Sequence, residues 1–506
     1  MQQTSPKHVA IIGGGPAGLA AGIYARLNGF AATVYEAGPH PGGLLATWER
    51  GGFTIPGALT FLVGSGPGIH MHNVWHEVLD FSQLSFYRYG RFITVEVPGQ
   101  PPLACPLTAA TLEAEWCDRF PADSGAIRAF AAGLRTLTAY DLPTSRAHEL
   151  TGWQDKVRFL TKKFPLYRAV QRWGALSLND FADKLRSPAL SQALRQFWPP
   201  GSAVLHPMAL LSFAAKASAD CPLGAGGRIT TLLTERLEAL GGVLQCNARI
   251  SRIETRPGGR VCGLQKGSSF EPAHYVVAAC DYHSLFRDLL NAPATLDTHY
   301  AALEPHPALH YLSFGLCGVP QQNTFPAALA GYQLALPAPL DTGGGKLTHY
   351  LQVVDRQFDP TLAPDGHSLL TVLLPAHEAW WRALQRSSPS GYQQEKARIQ
   401  AAVLLALEQR CPGIASACVM QDMATPATFY NYTHNYRSSY AGWLATPAQV
   451  RFNFPRSLRQ WPGLFLAGHW QQPGGGVPPA VLSARNALQL ICAEAGKKFH
   501  TEAVWR

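Results

Sequence analysis

The sequence predicts an α/β fold in which a nucleotide-binding domain, assembled from separated stretches of chain, carries a second region made of a mixed sheet and helices. Three observations predict it. A strand, glycine turn, helix, strand and acid follow one another within the first 36 residues, a second glycine-rich turn runs into an apolar helix near the end, and the middle alternates helical stretches with β-branched and aromatic runs. At 506 residues the chain exceeds the size at which one core keeps growing, so two or more units are expected.

The first unit begins with the apolar run His8 to Ile12, continues through Gly13-Gly14-Gly15-Pro16-Ala17-Gly18, and enters a helical stretch to Asn28 with Leu19, Ile23 and Leu27 on one face. Gly29 ends that helix, and Ala31 to Tyr35 forms a second strand that closes on Glu36 and Ala37. In a chain with 47 glycines the G-x-G-x-x-G spacing alone proves little; the strand before, the helix after and the downstream acid make it a Rossmann-like dinucleotide fingerprint. Gly13 permits the turn, Gly15 lets backbone approach a pyrophosphate, and Gly18 lets helix and sheet pack closely. The phosphates then meet unpaired N–H groups at the helix N-terminus. Glu36 is placed to accept from a ribose 2′-hydroxyl, which argues against a 2′-phosphate at this site.

Near the other end, Gly474-Gly475-Gly476-Val477 precedes a helix expected over Ala480 to Ala493, so exposed backbone N–H groups there can meet a cofactor carbonyl or a phosphate. Motifs at both ends and in the middle make the nucleotide domain discontinuous, with expected segments 1–85, 215–295 and 460–506. Residues 86–214 read as a helical substrate lobe, with Ala126 to Leu142 and Leu178 to Phe197 as its clearest helices. Residues 296–459 read as a sheet-containing substrate region, with strands expected at Leu309 to Phe314 and Leu369 to Leu374.

Composition excludes several classes. A net charge of +9 is a mild excess spread along the chain, which does not suggest nucleic-acid binding. Ten cysteines without C-x-x-C or close His/Cys spacing read as buried thiols in a reducing cytoplasm, with no metal site. Met1 to His8 leaves no room for a signal peptide, so the expected location is cytoplasmic, with contact at the inner face of a membrane as an open extension. The stretch from Pro305 to Leu340 lacks any charged residue, yet six prolines, two histidines and Gln321-Gln322-Asn323 break it into strand-sized pieces rather than a membrane span.

Further segments resemble the phytoene desaturase, carotene isomerase and retinol saturase group of the FAD-linked amine oxidase superfamily. They are Gly42-Gly43, Gly226-Gly227 with Leu232, Gly241-Gly242 through Asn247 to Ile250, Asp359-Pro360-Thr361-Leu362-Ala363-Pro364-Asp365-Gly366, then Thr428-Phe429, Tyr432-Thr433, Ser439-Tyr440 and Gly442, and the block from Leu464 to Arg485 with Gly468 and Ser483. The resemblance implies FAD as cofactor, with Gly42, Gly43 and Leu44, Ile250, Gly468 and His469, and Gly475, Gly476 and Val477 added to the fingerprint residues as its contacts. Two departures alter the local charge: Leu44 stands where an arginine is common, and His469 where an aspartate is common.

The flavin would carry the hydride chemistry while the protein positions the carbon and excludes water. The expected activity is desaturation, saturation or isomerisation of carbon–carbon bonds in a hydrophobic polyene or isoprenoid. A reductive polyene cyclase of the tetramate macrolactam type is the alternative, with an amine oxidase or a non-catalytic flavin scaffold behind it. His469, His434, Tyr432 and Tyr440 are candidate proton carriers because they lie in or beside the motifs; a satisfied structural role is the competing reading of each. No second fingerprint appears, so NAD(P)H, if it is the electron donor, must dock in the substrate cleft; the oligomeric state stays open.

Between Trp153 and Trp173, Lys156, Arg158, Lys162, Lys163, Arg168 and Arg172 face one acid, Asp155. Val157, Leu160 and Phe164 share one helical face, and beyond Pro165 the apolar set becomes Leu166, Tyr167, Val170 and Trp173. Two short amphipathic helices meeting at Pro165 are expected. Their stripes either pack on the substrate lobe or lie in an anionic bilayer surface.

Overall fold

The computed structural model describes residues 6–141, 146–292, 300, 302–318, 325–452 and 454–501, without the side chains at 156, 158 and 159. Five parallel strands form the first sheet, in the spatial order Val243–Gln245, Ala31–Tyr35, His8–Ile12, Tyr275–Ala278 and Leu464–Leu466. Strands from the beginning, middle and end of the chain therefore share one hydrogen-bonded layer. Val9, Ala10 and Ile11 are fully buried, as expected of a parallel strand covered on both faces.

The helices Pro16–Leu27, Ala225–Ala239 and Val477–Glu494 cover one face. Close approach depends on absent side chains. A Cβ on Gly18 would stand 1.8 Å from the Gly13 carbonyl oxygen, and one on Gly22 would stand 2.7 Å from Leu237. The other face is covered by the antiparallel meander Ile250–Thr255, Val261–Lys266 and Ser269–Pro272, whose Ile250, Ile253 and Leu264 pack with Ala10 and Val276.

The second sheet has seven strands in the order Cys418–Ala424, Leu309–Cys317, His367–Pro375, Leu347–Asp355, Tyr332–Asp341, Arg91–Val95 and Leu103–Pro106. Helices Glu378–Ser387 and Pro389–Arg410 close its outer face through Trp381, Ile399, Val403 and Leu407. The expected strands at 309 and 369 are neighbours here, paired antiparallel. The charge-free stretch forms strands on both sides of residues 319–324, which hold Gln321, Gln322 and Asn323 and lie outside the described residues. Among the described residues no helix is long and apolar enough to cross a membrane.

Two parts of the expected helical lobe differ. Residues 91–106 hold the last two strands of the second sheet, Arg91–Val95 paired between Tyr332–Asp341 and the edge strand Leu103–Pro106, because Phe92, Ile93, Thr94 and Val95 are β-favouring and fully or nearly buried there. Residues 178–197 hold two short helices, Leu178–Ala182 and Pro188–Leu194, since Ser187 caps the second and Pro188 starts it. Helices Ala109–Arg119, Ser124–Ala139 and Phe164–Gly174 complete the lobe around Trp116, Phe130, Trp173 and Phe181.

The basic segment does form two helices, Trp153–Lys162 and Phe164–Gly174, with Pro165 in the first turn of the second. Their stripes part company. Leu166, Ala169 and Trp173 are buried against the lobe, whereas Trp153, Val157, Leu160 and Phe164 are exposed. Lys156 and Arg158 lie outside the described side chains.

Candidate flavin and substrate site

One cavity of about 1790 Å³ runs between the two sheets. Its nucleotide end is built by the predicted fingerprint. Gly13, at φ +103°, donates its N–H to the Tyr35 carbonyl, which folds the loop tightly off the first strand. Gly15 is the N-cap of helix Pro16–Leu27, has no side-chain cap, and lines the cavity with no atom within 4 Å of where a Cβ would stand. That open side lies against the unpaired N–H groups of the helix start, the geometry a pyrophosphate needs.

A second helix start meets the same space. Gly475, Gly476 and Val477 line the cavity at the start of Val477–Glu494, which also lacks a side-chain cap, and Gly468 and His469 stand beside them. Two uncapped N-termini give the cavity fixed positive potential where a dinucleotide carries negative charge.

At the far end of the groove the Glu36 carboxylate accepts from Gly14 N at 2.6 Å and from Gly38 N at 2.7 Å. Each oxygen keeps a lone pair, and Glu36 lines the cavity beside Ala37, Arg249 and Ile250. Pro16, Ala17, Gly43 and Leu44 line the same groove. Gly18 and Gly42 do not; Gly18 serves the helix–strand contact, and Gly42, at φ +123°, donates its N–H to the Gly14 carbonyl and so pins the following loop under the phosphate-binding turn. An open glycine face, two helix starts and an acid at the ribose distance fit FAD.

Beyond this groove the cavity widens into a mostly apolar chamber with Phe61, Ile69, Met71, Phe197, Leu210 and Phe213 in its wall. Gln192 and Tyr350, joined by a 2.9 Å hydrogen bond, give it a polar spot between the helical lobe and the second sheet.

The four candidate proton carriers separate. His469 and Tyr440 line the cavity where the chamber meets the glycine loop 474–476, and burial draws His469 down to about 4 while it raises Tyr440. His434 sits at the nucleotide end, its Nε2 2.9 Å from Arg249, and its pKa is lowered by burial and then by that guanidinium. Tyr432 lies at the rim with 74% of its surface exposed.

Two further histidines border the junction of groove and chamber. His206, on helix Leu205–Ala215, and His306 both line the cavity, and burial holds both near 4. No motif marks either. His306 lies in the charge-free stretch, and a histidine surviving in such a run was the one available signal.

The Asp359 signature is structural. Its carboxylate, 3% exposed, accepts from Gly224 N at 2.9 Å and from Thr361 N at 3.1 Å, which ties the second sheet to the start of helix Ala225–Ala239.

Among protein families, residues 16–492 match the one described as flavin containing amine oxidoreductase. The phytoene dehydrogenase of Streptomyces griseus is 25% identical, over 96% of this chain and 95% of its own length. The phytoene desaturase (neurosporene-forming) of Cereibacter sphaeroides is 26% identical over 53% of each chain. Among solved structures, an oxidoreductase from Methanosarcina mazei superposes with a TM-score of 0.60 at 14% identity, over 95% of this chain and all of the other. Cyclohexylamine oxidase from Brevibacterium oxydans gives 0.59 at 14% identity, over 97% and 99%.

Proposed function

Because the chain belongs to the flavin-containing amine oxidoreductase family and is an FAD-dependent oxidoreductase, we propose that it acts on carbon–carbon bonds of a hydrophobic polyene or isoprenoid chain. The observation that carries this reading is the cavity of about 1790 Å³, in which the dinucleotide groove is continuous with a mostly apolar chamber. Relatives named for phytoene dehydrogenation and desaturation support it.

In this reading Gly13, Gly15 and the helix start at Pro16 hold the pyrophosphate, Glu36 holds the adenosine ribose, and the loop Gly474 to Val477 holds the flavin end. Bound FAD supplies two-electron chemistry, accepting or returning a hydride. The chain's own work is to seat the substrate along Phe61, Phe197 and Phe213, to keep water away from the reacting carbons, and to manage the proton that accompanies the hydride. In this reading His469 and Tyr440, on the cavity wall, take on that last task, and His434, beside Arg249 and Glu36, serves the nucleotide instead.

The reductive-cyclase alternative would use the same site in the opposite electron direction. Anaerobic mixing of the purified protein with NADPH separates the two electron directions. Bleaching of the flavin band by NADPH favours a saturase or reductive cyclase. A flavin that ignores NADPH but bleaches with a vesicle-dispersed polyene such as phytoene is the result expected of a desaturase. A flavin bleached by simple amines and by neither of these would overturn the reading.

A further inference from the structure

Loop 440–443 draws three imidazoles to one place. The main-chain N–H of His306 donates to the Gly442 carbonyl at 2.7 Å, a Cβ on Gly442 would stand 3.4 Å from the His469 ring, and Gly474, whose N–H donates to the Trp443 carbonyl, lies so close to His206 that a Cβ there would stand 2.2 Å from the ring. All three histidines and Tyr440 line the cavity. The ring nitrogens of His206 and His469 take no hydrogen bond from a described residue and are not sealed off, so they open on the cavity. His306 bonds through Nδ1 to the Pro307 carbonyl at 3.2 Å, which leaves Nε2 for a ligand.

We propose that His206, His306 and His469 form one proton-accepting site at the flavin end of the chamber, with His306 in the middle, and that this site takes up a proton when the bound flavin is reduced.

The electrostatics support the geometry. Burial is the main cause that keeps each ring neutral, and His306 further lowers its neighbours His206 and His469. The other ionisable group facing the trio is Tyr440, 6.3 Å from His306 between ring centres and kept protonated by burial; behind it stand Tyr311 and the buried guanidinium of Arg356. A cation behind the site and rings that repel one another's charge favour the unprotonated trio while the cofactor is oxidised. Two electrons and one proton leave the reduced cofactor one charge more negative than before. That charge, in a water-poor cavity, favours an imidazolium beside it. The balance for carbon–carbon chemistry follows. One C–H bond of the substrate breaks with its electron pair leaving as hydride to FAD, the neighbouring C–H pair becomes the second bond of C=C, and its proton goes to an imidazole nitrogen. Saturation runs the same transfers backwards, so the site serves either direction.

The test needs no substrate, so failure of the polyene reading leaves it standing. The flavin midpoint potential of the holoenzyme is measured across the pH range above neutrality, beside free FAD in the same buffers. One additional proton per two electrons steepens the fall with pH by about 29.6 mV per pH unit relative to free FAD. With His206, His306 and His469 all changed to Asn the slope should return to that of free FAD, and His306→Asn alone should lie between. A wild-type slope parallel to free FAD, or a triple variant that keeps the wild-type slope, overturns the proposal. Should the triple variant lose FAD, the decision rests on the wild type: anaerobic photoreduction in weak buffer with a pH-indicator dye should consume one proton more per flavin than free FAD does, and an equal count overturns the proposal.

Discussion

Gly15 is where one residue decides cofactor retention. Its side faces open cavity at an uncapped helix start, so Gly15→Val should fold but purify without FAD, because the added carbons fill the space of the pyrophosphate. A yellow variant with one flavin per chain would remove the phosphate role from this turn. His469 bears on the chemistry. Burial holds this ring near 4 and uncharged, so His469→Asp, which brings a negative charge to the same place, should lower the flavin midpoint potential, by about 30 mV for each 1.4 kcal/mol of added repulsion. An unchanged potential would mean a ring remote from the flavin. At this scale the sequence was legible where chemistry demands a fixed spacing, as from Gly13 to Glu36. His206 and His306 were not legible, because a helix in the lobe and the lead-in to a strand bring them together and no spacing along the chain records that.

The helices Trp153–Lys162 and Phe164–Gly174 show what an amphipathic pattern can and cannot tell. Period and Pro165 were enough to place both helices; which stripe is covered depends on the neighbour, and it is the second, with Leu166, Ala169 and Trp173 buried and Val170 packed beside them, that meets the lobe. Trp153 is 72% exposed and Phe164 53%, with the exposed cations Lys162, Arg168 and Arg172 nearby. Lys163 donates to the Asp141 carbonyl, and Asp141 lines the cavity, so the exposed stripe sits beside one end of the chamber. A stripe of this kind suits an anionic bilayer from which a water-insoluble substrate can pass inward. The protein should therefore sediment with anionic vesicles and not with neutral ones. At about 1 kcal/mol per cation, changing Lys162, Arg168 and Arg172 to Gln should weaken partition roughly a hundredfold. Binding that ignores lipid charge and these substitutions would leave the stripe without this role.

Across the whole molecule, the sequence revealed a sheet gathered from three distant stretches because each stretch carries its own glycine turn. It concealed the strands at 91–106, because strands of four or five residues in a stretch with helices downstream have too short a period to stand out. The same assembly makes the fold acid-sensitive. His206, His306, His310 and His469 are held near 4 by burial, against an ordinary value of 6.5, and His310 keeps only one bond, Nε2 to the Thr342 carbonyl at 2.9 Å. Between those two values the unfolded chain binds protons that the folded chain refuses. Their contribution is thus fully present above 6.5 and is lost as pH falls toward 4. Asp355 works the other way, since burial raises it from 3.8 to about 6 and the folded chain takes its proton first. Burial raises Asp281 in the same direction, and four groups against two leave a net loss on acidification. With FAD in excess, so that cofactor release does not intervene, the melting temperature should fall steadily from about pH 7 to about pH 5. His206→Asn and His306→Asn should flatten that fall, since each removes a ring that must stay uncharged. A melting temperature that holds level over the same range would show that these rings accept a proton in the folded state without cost.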